Sequence, residues 1–295
     1  MILLLLPPAL FALANIVDKF LVHGDDEDST PGALTALSGL FNLIAAVLVT
    51  CWVFFRGVPL PQNPFDALAL MLNGGTFVLG VWLYLRCIFV EDVSKVVPWF
   101  LFIPVFGLIG GLVWLGEIPT MLQFGAILLL VVCGWFLSSS HAFGGIAPQM
   151  LLASALLASN DVVFAEFGRK METSCAIGCD MYGKVLWSSL ALLAPAARRG
   201  FIVGIRTRFK LQASSEVLTI GADAVLDAAK MVAPIAIVQA VCCAQPAFVL
   251  VLALAVAPWR PDVLKETMDG SIIKRAGIIV TMVIAGAYLV YTMER

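Results

Sequence analysis

The chain is 295 residues long, 61% hydrophobic and only 13% charged, with 20 acidic and 18 basic side chains. Soluble domains are about 45–50% apolar and about 25% charged, and the mean hydropathy here is +0.99, so lipid rather than water must solvate most of the surface. That excludes a soluble globular domain; the net charge of -2 says nothing about partners, and a nucleic-acid-binding role is not expected.

About residues 1–22 form a first expected span, whose start lacks the basic segment of a cleaved signal peptide. The acidic run Asp25, Asp26, Glu27, Asp28, followed by Pro31 and Gly32, reads as a solvated loop. A second span covers about residues 32–55 and is broken by the Pro-rich stretch from Arg56 to Pro64. The third, about residues 66–85, carries Asn73, Gly74 and Gly75, and residues 86–95 follow as a short polar link. Residues 96–115 are apolar on every face and match the roughly 20 residues a helix needs to cross a bilayer. A turn with Gly116, Glu117 and Pro119 then leads into a fifth span over residues 125–137, so that the fourth and fifth form a hairpin in lipid.

Residues 138–145, with Ser138, His141 and Gly145, are a small polar linker. Beyond it come a sixth span to about residue 167 and a seventh over about residues 176–194. Arg198, Arg199, Arg206, Arg208 and Lys210 then suit a loop at a lipid headgroup surface. The eighth span, about residues 214–231, is the weakest by hydropathy because it holds Asp223, Asp227 and Lys230. A ninth runs from Pro234 to about residue 257, a polar loop covers residues 258–270, and a tenth occupies about residues 272–292.

The end of the chain repeats its middle. Gln245-Pro246-Ala-Phe-Val-Leu-Val-Leu parallels Ile103-Pro104-Val-Phe-Gly-Leu-Ile-Gly, and Gly277 and Gly286 stand in register with Gly125 and Gly134. A period near half the chain length implies two copies of one unit, residues 1–140 and 146–295. The expected fold is therefore an all-α polytopic membrane protein of about ten transmembrane helices, arranged as two five-helix repeats. An odd number of spans per unit puts the two repeats in opposite orientations across the membrane.

Ionisable groups at membrane depth are costly unless paired or hydrated, so each is a candidate functional residue. Asn15, Asp18 and Lys19 share one helical face through their i, i+3 and i+4 spacing, and either line a substrate cavity or form a helix-end pair with Lys19 reaching the interface. Asn160 and Asp161 are their counterparts in the second unit. Asp180 and Lys184 read as a neutralised i, i+4 pair. Asp223, Asp227 and Lys230 form a polar stripe that either faces a water-filled cleft or closes on itself as an Asp227–Lys230 salt bridge. Trp82, Tyr84, Trp99, Gln239 and Gln245 offer rings and amides to an organic substrate, although tryptophans more often anchor a span at the interface. Pro98, Pro104, Pro234 and Pro246 break the fourth and ninth spans, freeing backbone carbonyls for a substrate or a hinge. The seven cysteines (Cys51, Cys87, Cys133, Cys175, Cys179, Cys242, Cys243) have no metal-ligand spacing, and His23 and His141 fall in loops, so no metal ion, cofactor or catalytic centre is expected.

These residues resemble a known family. Pro104-x-Phe106 through Leu115-Gly116-Glu117, with Gln123-x-Gly125 and Gly134, is similar to the end of the first repeat of the EamA-like branch of the drug/metabolite transporter superfamily. Asn15-Ile-Val-Asp18-Lys19-Phe20 resembles the first helix of one bacterial subgroup, and Val238-Gln239 through Gln245-Pro246-x-Phe248-Val249 resembles the matching part of the second repeat. The likeness spans nearly the whole chain and implies a five-plus-five fold that moves small metabolites, with both termini inside. The sequence departs from the pattern after the ninth span, where Ala257-Pro258-Trp259 replaces a Leu-Gly-Glu and Glu266 comes later, so no role of Glu117 carries over to the second unit. Charge counting points the other way on sidedness: the links on the side of the termini hold only Arg56, Arg169, Lys170, Lys230 and Arg295, fewer basic residues than the opposite links.

Two functions follow. One is a secondary transporter whose small-molecule substrate binds between the units, with the lipid bilayer as its surroundings and a homodimer as the candidate assembly. The other is an intramembrane scaffold with a solid core and every polar group paired. The absence of paired catalytic groups at a consistent depth argues against an intramembrane enzyme.

Overall fold

The computed structural model describes residues 6–22, 30–91, 93–137, 145–256 and 272–292. The acidic run at Asp25 to Asp28, His23 and His141, most of the central linker and the loop holding Glu266 lie outside the described residues. The described residues are helical apart from the turns that join the helices, such as residues 57–63 and 116–120, with no strand among them.

The first half comprises α1 (Leu6–Val22), α2 (Pro31–Arg56), α3 (Pro64–Val90), a broken segment and α6 (Met121–Leu137). The broken segment strings together α4 (Val93–Val96), a 3-10 turn (Val97–Phe102), α5 (Ile103–Gly110) and a π turn (Gly111–Leu115). The second half comprises α7 (Ala147–Gly168), α8 (Thr173–Ser189), a 3-10 turn (Leu190–Leu193), α9 (Pro195–Thr207) and α10 (Phe209–Lys230), then α11 (Ile235–Cys242), α12 (Gln245–Val256) and α13 (Ile272–Thr292).

Local chemistry sets the ends. Thr30 caps α2, its hydroxyl accepting from the Ala33 amide at 3.1 Å, and Pro31 fills the first turn where an amide donor is not needed. Gly57, at φ 62°, closes the same helix in the left-handed conformation. Asn63 and Pro64 start α3 in the same way. The four expected break prolines all sit where a helix starts. Pro98 and Pro104 are second in the 3-10 turn and in α5, Pro234 precedes α11, and Pro246 is second in α12. Each therefore interrupts a span without an internal hydrogen bond being lost.

Two sequence expectations are corrected. The polar link expected over residues 86–95 is helical to Val90: Cys87 and Ile88 are buried in the core, so α3 continues, and Arg86 lays its guanidinium over the Trp82 ring one turn back, 4.8 Å from its centroid. The basic stretch expected as a loop is helix α9 followed by the start of α10. Pro195 begins α9, which turns by 114° from the direction of α8, and Ala197, Gly200 and Gly204 are buried along its length while Arg198, Arg199 and Arg206 stay exposed. A helical period of small residues on one side and arginines on the other is legible only at 3.6 residues per turn.

The interior alternates between the two halves. Helix α1 packs on α10 and α12, while α7 packs on α3 and α5; α2 lies against α8, and α6 against α13. At the α3–α8 crossing, a methyl group on Gly74 would fall 2.4 Å from the Gly183 carbonyl carbon, and one on Gly183 would fall 2.3 Å from the Met71 oxygen. Only glycine allows backbones this close. The outer surface is apolar: Phe55, Ile118 and Met121 are 86%, 82% and 88% exposed. Helices α2, α3 and α7 are long and apolar enough to cross a membrane, and α8 with α9 satisfies the same length and composition as a bent pair. This is an all-helical, membrane-embedded architecture.

Candidate functional site

A cavity of about 170 Å³ opens at the centre, between α1, α2 and α3 on one side and α7, α10 and α11 on the other. That is room for on the order of ten waters or one small organic molecule. Its wall is mostly apolar, with rings from Phe11, Phe77, Tyr84 and Phe100. Tyr84 and Phe100 pack together at 5.2 Å between centroids.

The polar groups fall into two clusters. In the first, Asp18 of α1 accepts from Ser215 at 2.5 Å, and the Tyr84 hydroxyl, which donates to Asn15 at 2.9 Å, also lies 3.4 Å from the Asp18 carboxylate. Beside it, Glu216 of α10 accepts from Ser38 and from the Gln212 amide, each at 2.9 Å. In the second, Lys230 is held by Asp161 (2.5 Å) and Asp227 (2.7 Å), and Lys184 by Asp180 (2.9 Å) and Asp223 (3.1 Å). The Lys184 ammonium also lies 3.8 Å from the centre of the Phe77 ring. Gln239 donates to Asp161 at 2.8 Å, and its carbonyl oxygen occupies the space that a methyl group on Gly107 would fill.

Of the residues singled out in the sequence, Asn15, Asp18, Tyr84, Asp161, Asp223, Lys230, Gln239 and Gln245 line this cavity. Lys19, Trp82, Trp99, Asn160 and Asp227 do not. Lys19 does not pair with Asp18; it crosses to the C-terminal end of α3 and donates to the carbonyls of Ile88 (3.4 Å) and Glu91 (3.0 Å), where a cation complements the helix dipole. Asn160 exchanges amide-to-carbonyl bonds with Asn73 at 2.9 and 3.2 Å, which joins α7 to α3. Trp99 is buried against Phe102. Asp227 closes on Lys230 as the i, i+3 spacing allows, and Asp180 closes on Lys184 at i, i+4.

Sequence reasoning missed Glu216, Gln212, Ser215 and Ser38. Glu216 stands seven residues before Asp223, two helical turns along the same face, so the signal was present in the period of α10.

At one end of the cavity a clasp joins three elements. Glu117, in the turn after α5, bonds Arg169 at 2.8 Å and accepts from the Ile235 amide at 2.8 Å, capping α11. Arg169, just past α7, donates to the carbonyls of Lys230 (2.9 Å) and Ala233 (2.7 Å). The clasp is thus one residue's backbone away from the ion pairs of Lys230.

No family model and no curated protein matches this chain. Among the 26 chains of solved structures that match it, one, described only as a crystal structure of a protein, superposes with a TM-score of 0.57 at 15% identity, over 96% of this chain and 98% of its own. At that identity the likeness concerns the fold alone.

Proposed function

We propose that the chain is a multi-pass secondary transporter of the EamA-like, drug/metabolite type, residing in the cell membrane and moving a small organic metabolite by alternating access. In this reading about ten helical segments cross the bilayer as two inverted units, residues 1–140 and 146–295. The observation that carries it is the central cavity, apolar in its body and polar at chosen points, to which both halves contribute.

The packing supports the duplication. Exchanging the halves maps α1 on α10 into α7 on α3, and α1 on α12 into α7 on α5, while α2 on α8 and α6 on α13 map onto themselves. Two like units meeting at a central axis form two doors, one at each end. The clasp of Glu117, Arg169 and the start of α11 is the door on one side: it ties the two halves together and includes the backbone of the residue that binds Asp161 and Asp227.

The test is flux. Purified protein in proteoliposomes is screened for uptake and efflux of amines, amino acids, organic acids and neutral metabolites, with and without a pH gradient. Saturable flux of one class, absent from empty vesicles, is the expected result. A stable, binding-competent protein that moves none of them would assign the chain to the scaffold reading instead.

A further inference from the structure

Resting on the transport reading, we propose that the substrate is a small organic cation, an alkyl- or arylalkyl-ammonium whose charged nitrogen sits between Asp18 and Glu216. Among the described residues every donor on these two carboxylates is neutral: Ser215 on Asp18, with the Tyr84 hydroxyl shared between it and Asn15, and Ser38 and Gln212 on Glu216. Hydroxyls and amides orient a carboxylate without cancelling its charge. Lys230, which lines the cavity, and Lys184 behind it have no charge to spare, since each is already shared between two other carboxylates. The cluster is therefore electrostatically incomplete, and a bound cation completes it.

A second observation points to the same ligand. The Gln212 amide nitrogen donates to Glu216, which fixes the side chain's orientation and turns its carbonyl oxygen the other way. Gln212 is 3% exposed and lines the cavity, and that oxygen has no partner among the described residues. A buried orphan acceptor beside a carboxylate awaits an N–H donor. Beside Asp18 on the same face of α1, Asn15 takes the Tyr84 hydroxyl on its oxygen, and its amide nitrogen has no partner among the described residues, so it suits an oxygen carried by the ligand. The apolar remainder of the wall, with Phe11, Phe77 and Phe100, houses a hydrocarbon body and offers ring faces to a cation. A bare metal ion fits less well: among the described residues no three His, Cys, Asp or Glu side chains converge as ligands, and ring walls do not replace a hydration shell.

Equilibrium binding to the full chain in detergent tests this, with phenethylammonium, its neutral isostere 2-phenylethanol and the anion 3-phenylpropionate as probes. Phenethylammonium is expected to bind at least about tenfold more tightly than the alcohol, the scale of one charge-assisted hydrogen bond, and the anion not at all. Glu216→Gln and Asp18→Asn, which keep shape and remove charge, are each expected to weaken the ammonium by a similar factor. Equal binding of the alcohol or the anion, no binding of the ammonium, or full affinity in both variants overturns the proposal. Competition by sodium at matched ionic strength overturns it in favour of a metal-ion site. Where neither variant folds, the three probes on the unaltered protein decide. Flux of the same probes in proteoliposomes separates the two readings. Ammonium binding without any flux sinks transport and keeps the cation site, whereas flux of an acid or alcohol without ammonium binding does the reverse.

Discussion

Lys230 lies between Asp161 and Asp227 and forms an ion pair with each. Replacing it by methionine leaves the buried Asp227 and the half-buried Asp161 opposed without a cation, and breaking a fully buried pair in this way costs about 3–5 kcal/mol. Lys230→Met should therefore lower the unfolding midpoint in detergent strongly, and Asp227→Asn in the same chain should restore part of it. A Lys230→Met protein as stable as the parent would remove the electrostatic argument for this cluster. Gly107 supports a finer test. Its missing side chain is the space taken by the Gln239 carbonyl, and Gln239 in turn steadies Asp161. Gly107→Ala should displace the amide, reducing flux while the unfolding midpoint stays close to that of the parent, because the end of a flexible side chain moves aside easily. The contact between Gln239 and Asp161 joins residues 78 apart, and no local spacing encodes it.

Elements were readable wherever a helix announces its own ends. Thr30 with Pro31, Asn63 with Pro64, and Gly57 all act within a turn of their position, so the starts and stops of α2 and α3 follow from short-range chemistry. The stretch containing α9 was misread because a run of arginines looks like a loop when composition is considered without period. Its burial of Ala197, Gly200 and Gly204 shows a helix lying across the end of α2, with Gly204 tight against Leu37 and Gly32 against Ala197. Spin labels at Arg199 and Arg206 should report headgroup depth, and labels at Ala197 should report protein contact; the opposite order would refute a surface-lying helix. The α3–α8 crossing makes a second prediction. Gly183→Ala forces its methyl into the Met71 backbone, and overpacking of this kind costs about 1–3 kcal/mol. Thermal unfolding should show that loss, and the crossing would be wrongly placed if Gly183→Ala were neutral.

The whole molecule behaves as two interleaved halves, with the cavity at their seam and the Glu117–Arg169 clasp at one end of it. If the clasp is a door, bridging positions 117 and 169 with a bifunctional thiol reagent in a Glu117→Cys, Arg169→Cys protein should arrest flux and leave ligand binding intact. Flux that continues at the parental rate after complete cross-linking would mean the molecule works without opening there. The large apolar exterior and the buried ion pairs belong together at this scale. Lipid stabilises one, and the protein interior must satisfy the other, since lipid offers no partner for a charge.

The amino-acid sequence by itself determined the solvent, the secondary-structure class and the punctuation of the helices. Each of these depends on composition or on neighbours within a few residues: apolar runs, capping side chains, and prolines that cannot continue a preceding turn. Only the tertiary structure decided which helix faces which. It turned Lys19 from Asp18 to the end of α3, tied Asn160 to Asn73 rather than to the cavity, and brought Asp18 to Ser215 across 197 positions of the chain. The physical reason is that helical periodicity states which face of a helix is polar, whereas the partner that satisfies that face is chosen by how glycines and side-chain volumes let whole helices approach one another.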